Sequence, residues 1–134
     1  MIEQLRSKQS GDTVAQYVSY LHVDLEDIGI GLGMIVDTGR INYGLEGPQL
    51  IAFVRLALKE LVRLGGRPRH IAPPSQPKRP EVPLYYGENE SAIVEGVIND
   101  WVKMGMPDLT WGDFWFISPK TADMPMDKDW YRAP

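Results

Sequence analysis

The chain has 134 residues, 43% of them apolar and 24% charged, with a net charge of −4 and no cysteine. That length and apolar content suit one globular domain whose core needs no cross-links, and the missing thiols exclude disulfides, thiolate nucleophiles and cysteine-ligated zinc. No apolar run approaches the roughly 18 residues of a membrane span, and the start MIEQLRSKQSGD lacks a hydrophobic signal core, so the expectation is a soluble, cytoplasmic protein.

Residues 12–27, DTVAQYVSYLHVDLED, place Val14, Tyr17, Val18, Leu21 and Leu25 on one helical stripe, with Thr13 and Gln16 at capping-box distance. The same stretch is rich in Val and Tyr and also reads with period two, so an extended strand competes with the helix. Next comes DIGIGLGMIVDTGR, with Gly29, Gly31 and Gly33 at alternate positions. A dinucleotide loop would read GxGxxG and would bring backbone N–H groups to the phosphates. Here the spacing is GxGxG, and Asp24, Glu26 and Asp27 precede it, which is poor electrostatics for an anion. Ile28, Ile30, Leu32, Met34 and Val36 alternate instead, predicting a strand with a bare glycine side that lies under a helix or an adjoining backbone. Asp37 to Arg40 supply turn chemistry, and Ile41 and Tyr43 resume the alternation, predicting a hairpin over 28–45.

The helix that follows has both ends written in the sequence: Gly47-Pro48 opens it, and Gly65-Gly66 with Pro68 closes it. Leu50, Phe53, Val54, Ala57, Leu58, Leu61 and Leu64 form its apolar face, while Arg55, Lys59 and Arg63 recur four apart on another. Residues 72–83, with five prolines, read as a polyproline-like surface loop, and LYYG after them as a short strand. A third helix begins near Asn89, carries Ile93, Val94, Val97, Ile98, Trp101 and Met104, and stops at Gly105 before Pro107. TWGDFWFIS reads as a strand. ELVRLGGRP and DWVKMGMP resemble one another, two helix-to-strand units in one sheet. The expected architecture is therefore one α+β domain over residues 1–119, with about three helices packed on a small mixed or antiparallel sheet, and an irregular tail at 120–134.

Charge is segregated along the chain. Residues 1–54 sum to −4, residues 55–80 to +6 and residues 81–134 to −6. The basic strip, Arg55, Lys59, Arg63, Arg67 and Arg69, offers a third-ranked reading as a nucleic-acid contact, against which the overall acidity argues. Either histidine can carry imidazole chemistry. His22 with Asp24 and Glu26 is the candidate metal or ligand set of a small enzyme, although no second histidine lies near. His70, beside Arg67 and Arg69, is a candidate base. No serine stands in a nucleophile motif, and the pair Asp108 and Asp113 cannot be placed across a cleft from sequence. All four tryptophans fall in the acidic last third. Part of that cluster serves the core, while Trp111, Trp115, Trp130 and Tyr131 are the candidate anchors for a protein partner. With no nucleophile, metal set or cofactor loop, the favoured reading is a non-catalytic acidic protein-binding module, a regulator, inhibitor or immunity-type protein, that meets a basic partner and needs no cofactor.

Overall fold

A computed structural model describes residues 2–70, 82–109 and 112–118; the expectations for Trp111, for residues 72–81 and for the 120–134 tail lie outside them. The elements are a 3-10 turn (Ile2–Gln4), α1 (Val14–Ser19), α2 (Leu21–Asp27), β1 (Ile30–Gly31), α3 (Leu32–Asp37), a π-helical turn (Thr38–Asn42), α4 (Gly47–Arg63), β2 (Arg67–His70), β3 (Val82–Pro83), α5 (Glu90–Lys103) and β4 (Trp115–Ile117). The sheet runs β1-β4-β2-β3 with every pair antiparallel, so the α+β class holds.

Helix α4 is the axis of the core, because its predicted apolar face is broad enough to serve several neighbours. Leu50, Phe53, Val54, Ala57, Leu58 and Leu61 are all 0% exposed, and each large side chain so buried contributes about 1.5–3 kcal/mol. Pro48 sits in the first turn, where its missing N–H costs nothing, and Gly65 takes the left-handed conformation at the other end (φ 96°). Helix α5 packs along α4 with Ile93, Val94, Val97, Ile98 and Trp101 buried; Asn89 Oδ1 accepts the Ala92 N–H at 3.1 Å and starts the helix. Stretch 12–27 is helical, with the Thr13–Gln16 capping box formed, but it breaks into α1 and α2 at Tyr20. Val14, Leu21 and Leu25 face α4 from the two pieces.

The 28–45 hairpin does not form. Only Ile30 and Gly31 pair, with Phe116 and Trp115 of β4, after which the chain coils into α3 and the π turn. The buried residues are Leu32, Ile35, Val36 and Gly39, a helical spacing against α4, whereas Ile28 and Met34 from the alternating set are 61% and 49% exposed. Two periods coexist in these residues, and burial against α4 selects the helical one. The bare glycine side does lie against backbone and side chains: a Cβ on Gly29 would come within 2.6 Å of the Phe116 carbonyl oxygen, and one on Gly31 within 2.9 Å of the Trp115 ring. LYYG is not a strand either. Edge pairing falls one step earlier, on Val82–Pro83, and Leu84 and Tyr86 turn inward to pack on the core.

Candidate functional site

The π turn brings an arginine from the acidic arm to the loop that leaves α5. Gly39 has no side chain, and a Cβ there would meet Leu50 Cδ1 at 2.7 Å and Phe53 Cδ2 at 2.8 Å, so the turn lies directly on α4. Thr38 Oγ1 donates to the Met34 carbonyl at 2.9 Å. From this platform Arg40 donates through Nη1 to Asp108 Oδ1 and through Nη2 to the Met106 carbonyl, both at 2.7 Å, with Glu46 Oε2 at 3.8 Å from Nε. The bonds to Asp108 and the Met106 carbonyl are charge-assisted and directional.

The loop that Arg40 holds is conformationally unusual. Met106 adopts φ 54°, a left-handed conformation that a residue with a Cβ occupies only when its surroundings dictate it. Its N–H donates to the Trp101 carbonyl at 3.0 Å, and the Trp101 indole donates to the Pro107 carbonyl at 3.1 Å. Leu109 closes against α3, where a Cβ on Gly33 would be 3.2 Å from its carbonyl oxygen. Helix α3, the π turn and residues 104–109 thus make one surface. It presents Met34, Ile41 (61% exposed) and Met104 (54% exposed) among the carboxylates of Asp37, Asp108 and Glu46.

Helix α2 extends the same acidic character. Tyr20, Val23 and Ile28 are more than half exposed, interleaved with exposed Asp24, Glu26 and Asp27. Tyr17 links α1 to the π turn beside α2: burial raises its hydroxyl to about 12, against a lowering hydrogen bond with Thr38 and with a further rise from the α2 charge of Asp24. Residues 12–37 contain five carboxylates and no lysine or arginine. The carboxylates of Asp24, Asp27 and Asp37 form no hydrogen bond or ion pair with the described residues.

The basic strip differs. Arg55 donates through Nε and Nη2 to both oxygens of Glu95 at 2.8 and 2.9 Å, and Arg63 binds Glu60 the same way. Those hydrogen bonds are the main cause that holds the Glu95 and Glu60 carboxyls below the ordinary carboxylate value. Arg67 donates to the carbonyls of Val62 and Gly66 at the end of α4, where a cation complements the helix dipole. Arg69 lies on β2, half-buried, opposite Trp115. Lys59 is exposed.

The other sequence candidates are dispersed. His22, Asp24 and Glu26 all lie exposed on α2. His22 and Glu26 share a helical face, Asp24 projects from another, and the His22 ring bonds the Ser19 carbonyl through Nδ1 at 2.9 Å. Among the described residues, no group of three or more His, Asp or Glu side chains gathers as a metal site. His70 meets Asp113, with Nδ1 to Oδ1 3.0 Å, which ties the end of β2 to the turn before β4 and orients the imidazole. Asp108 and Asp113 therefore serve Arg40 and His70 respectively and do not form a carboxylate pair. Trp115 is 5% exposed; its indole donates to the Ile28 carbonyl at 3.1 Å and fills the space left by Gly29 and Gly31, so it offers a partner no area. Trp130 and Tyr131 lie outside the described residues.

Sequence reasoning missed Arg40, Met34, Ile41 and Met104. The signal for Met34 and Ile41 was present: with Thr38 they stand at i, i+4 and i+7 beside the buried 32, 35, 36, 39 set, once the stretch is read with helical period. No protein family matches the chain, nor does any curated protein or solved structure. Among the described residues no helix is long and apolar enough to cross a membrane.

Proposed function

We propose that this chain is a non-catalytic protein-binding module, and that its partner is a basic protein met by the acidic, methionine-bearing face of α2, α3, the π turn and residues 104–109. The observation that carries the reading is the coincidence on one face of exposed Met34, Ile41 and Met104 with the exposed carboxylate of Asp37, which pairs with none of the described residues, and with Asp108 and Glu46, which share the single cation Arg40. Methionine side chains are flexible and polarisable and adapt to varied apolar surfaces. Carboxylates around them steer a cationic partner and reject anionic ones. The Arg40 clamp supports this reading, because a surface whose backbone is already held loses less conformational entropy on docking.

The test places a photo-crosslinking residue at Ile41 and, as a control on the far side of α4, at Lys59, then identifies the captured protein and reconstitutes it in purified form. The expected partner crosslinks from position 41 alone and carries net positive charge. Its affinity falls about tenfold or more with Ile41→Asp, a loss typical of a central interface residue, and falls with added salt. Crosslinking from position 59 alone, or an acidic partner whose affinity ignores salt, would overturn the assignment.

A further inference from the structure

On the side of α4 away from that face, the 3-10 turn and Leu5 stand off from the helix and leave a groove of about 650 Å³. Its helix wall is the stripe Gln49, Ala52, Leu56 and Lys59, spaced three, four and three apart, which runs roughly 15 Å along α4 at 1.5 Å per residue. The middle of the stripe is apolar, and Ile2 and Leu5, the latter 40% exposed, face it from the opposite wall. The stripe ends in polar groups, Gln49 toward the helix start and Lys59 toward its last turns, and Arg55 lies midway along the lining, one turn before Lys59. Glu3, on the wall opposite the helix, is the anionic member of the lining.

The cations in this groove are not equivalent. Arg55 has Nε and Nη2 taken by Glu95, which leaves Nη1. Lys59 makes no hydrogen bond or ion pair with the described residues, so its ammonium is a donor with three unfilled positions at the edge of an apolar trough. The groove volume lies in the range of small-molecule sites, which combine an apolar lining with a few placed polar groups.

We infer that this groove binds a small amphipathic monocarboxylate, a medium-chain acyl or aryl acid, with its apolar body on Ala52, Leu56, Ile2 and Leu5 and its carboxylate on Lys59 Nζ and Arg55 Nη1. The site is separate from the partner-binding face, and neither reading depends on the other. The length of the apolar stripe limits the body to a medium chain, and the Lys59 end selects the anion over a neutral or cationic head.

The full-length chain, labelled with 15N, is titrated below the micellar range with decanoate, decanol and decyltrimethylammonium. Decanoate is expected to give saturable shifts confined to residues 2–5 and 49–59. Decanol should bind about fivefold more weakly, the effect of one solvent-exposed ion pair, and the ammonium more weakly still. Lys59→Ala should lower decanoate toward the affinity of decanol, with Arg55 Nη1 the cation that remains, and Ala52→Trp, which fills the trough, should abolish both. Lys59→Glu, a surface change that leaves folding intact, should reverse the order of decanoate and the ammonium whether or not Ala52→Trp folds. Equal binding of decanoate and decanol, an affinity indifferent to Lys59→Ala, or no saturable shift at all would each overturn the inference. Shifts in the groove with an amphipathic peptide but not with decanoate would assign it to a protein and overturn it equally.

Discussion

Toward α5 and β2, α4 carries arginines whose hydrogen bonds are spent within the fold: Arg55 on Glu95, Arg63 on Glu60 one turn back along the helix, Arg67 on the carbonyls that end it. Toward α1, α2 and α3 the charge has the opposite sign and points outward, with Asp24, Asp27 and Asp37 facing solvent. The two regions have comparable charge density in the sequence and differ in what that charge touches. A guanidinium whose N–H groups are already engaged has few left for a phosphate or a partner, while an unpaired surface carboxylate keeps its full field for steering. That difference is the ground for proposing the acidic face as the interaction surface, while Arg55, Arg63 and Arg67 spend most of their hydrogen bonds within the fold.

The hardest way to break this division is at the hinge between the regions. Gly29 joins the acidic arm to β4 at φ 94°, with the Phe116 carbonyl and Ile117 Cγ2 2.6 and 2.8 Å from where a Cβ would stand. Gly29→Ala combines left-handed strain with overpacking, and a loss of about 3 kcal/mol in urea unfolding is expected. A loss under about 1 kcal/mol would mean that the arm is not pinned by β4.

Arg40→Met tests the arginine that holds the acidic side to residues 106–108. Removing its bonds to the Met106 carbonyl and the mostly exposed Asp108 should cost about 1.5 kcal/mol. It should also speed amide exchange at Met106, Asp108 and Leu109 while α4 and α5 stay protected. Uniform loss of protection across the helices would show that Arg40 supports the core and not the surface of the π turn and residues 104–109.

The smallest effect sharpens the comparison through pH. Hydrogen bonding from Arg55 lowers the Glu95 carboxyl from its ordinary 4.5 in the folded chain, so the unfolded state binds this proton more tightly. The resulting stability is complete above the ordinary value and is lost as pH falls through the lowered one. With both partners more than a third exposed, its size is under about 1 kcal/mol. Glu95→Gln should flatten the stability profile on the acid side of the ordinary carboxylate value, read by thermal unfolding as pH falls through that region, and an unchanged slope would refute the coupling.

The parts of the fold legible in sequence were those whose ends are marked by special residues. Pro48 and Gly65 bracket α4, Asn89 and Gly105 bracket α5, and Thr13 with Gln16 starts α1, each through local backbone chemistry that needs no tertiary partner. Stretch 28–45 was misread because its apolar residues satisfy both periods: Ile30, Leu32 and Val36 fall on the alternating set and Leu32, Ile35 and Val36 on the helical one. Of the candidate aromatic anchors, Trp115 is buried around the glycine strand, while Trp101 is buried on the helix face where its spacing put it.

What the sequence determined alone was the class, the principal helices, the scaffold role of the glycines and the separation of charge, all of which follow from spacing, capping and composition. The tertiary structure decided where charge remains available. Arg55 and Glu95 stand far apart in the chain, as do Arg40 and Asp108, and His70 and Asp113. Whether a side chain is engaged or free depends on which element packs beside it, and local periodicity carries no information about that neighbour.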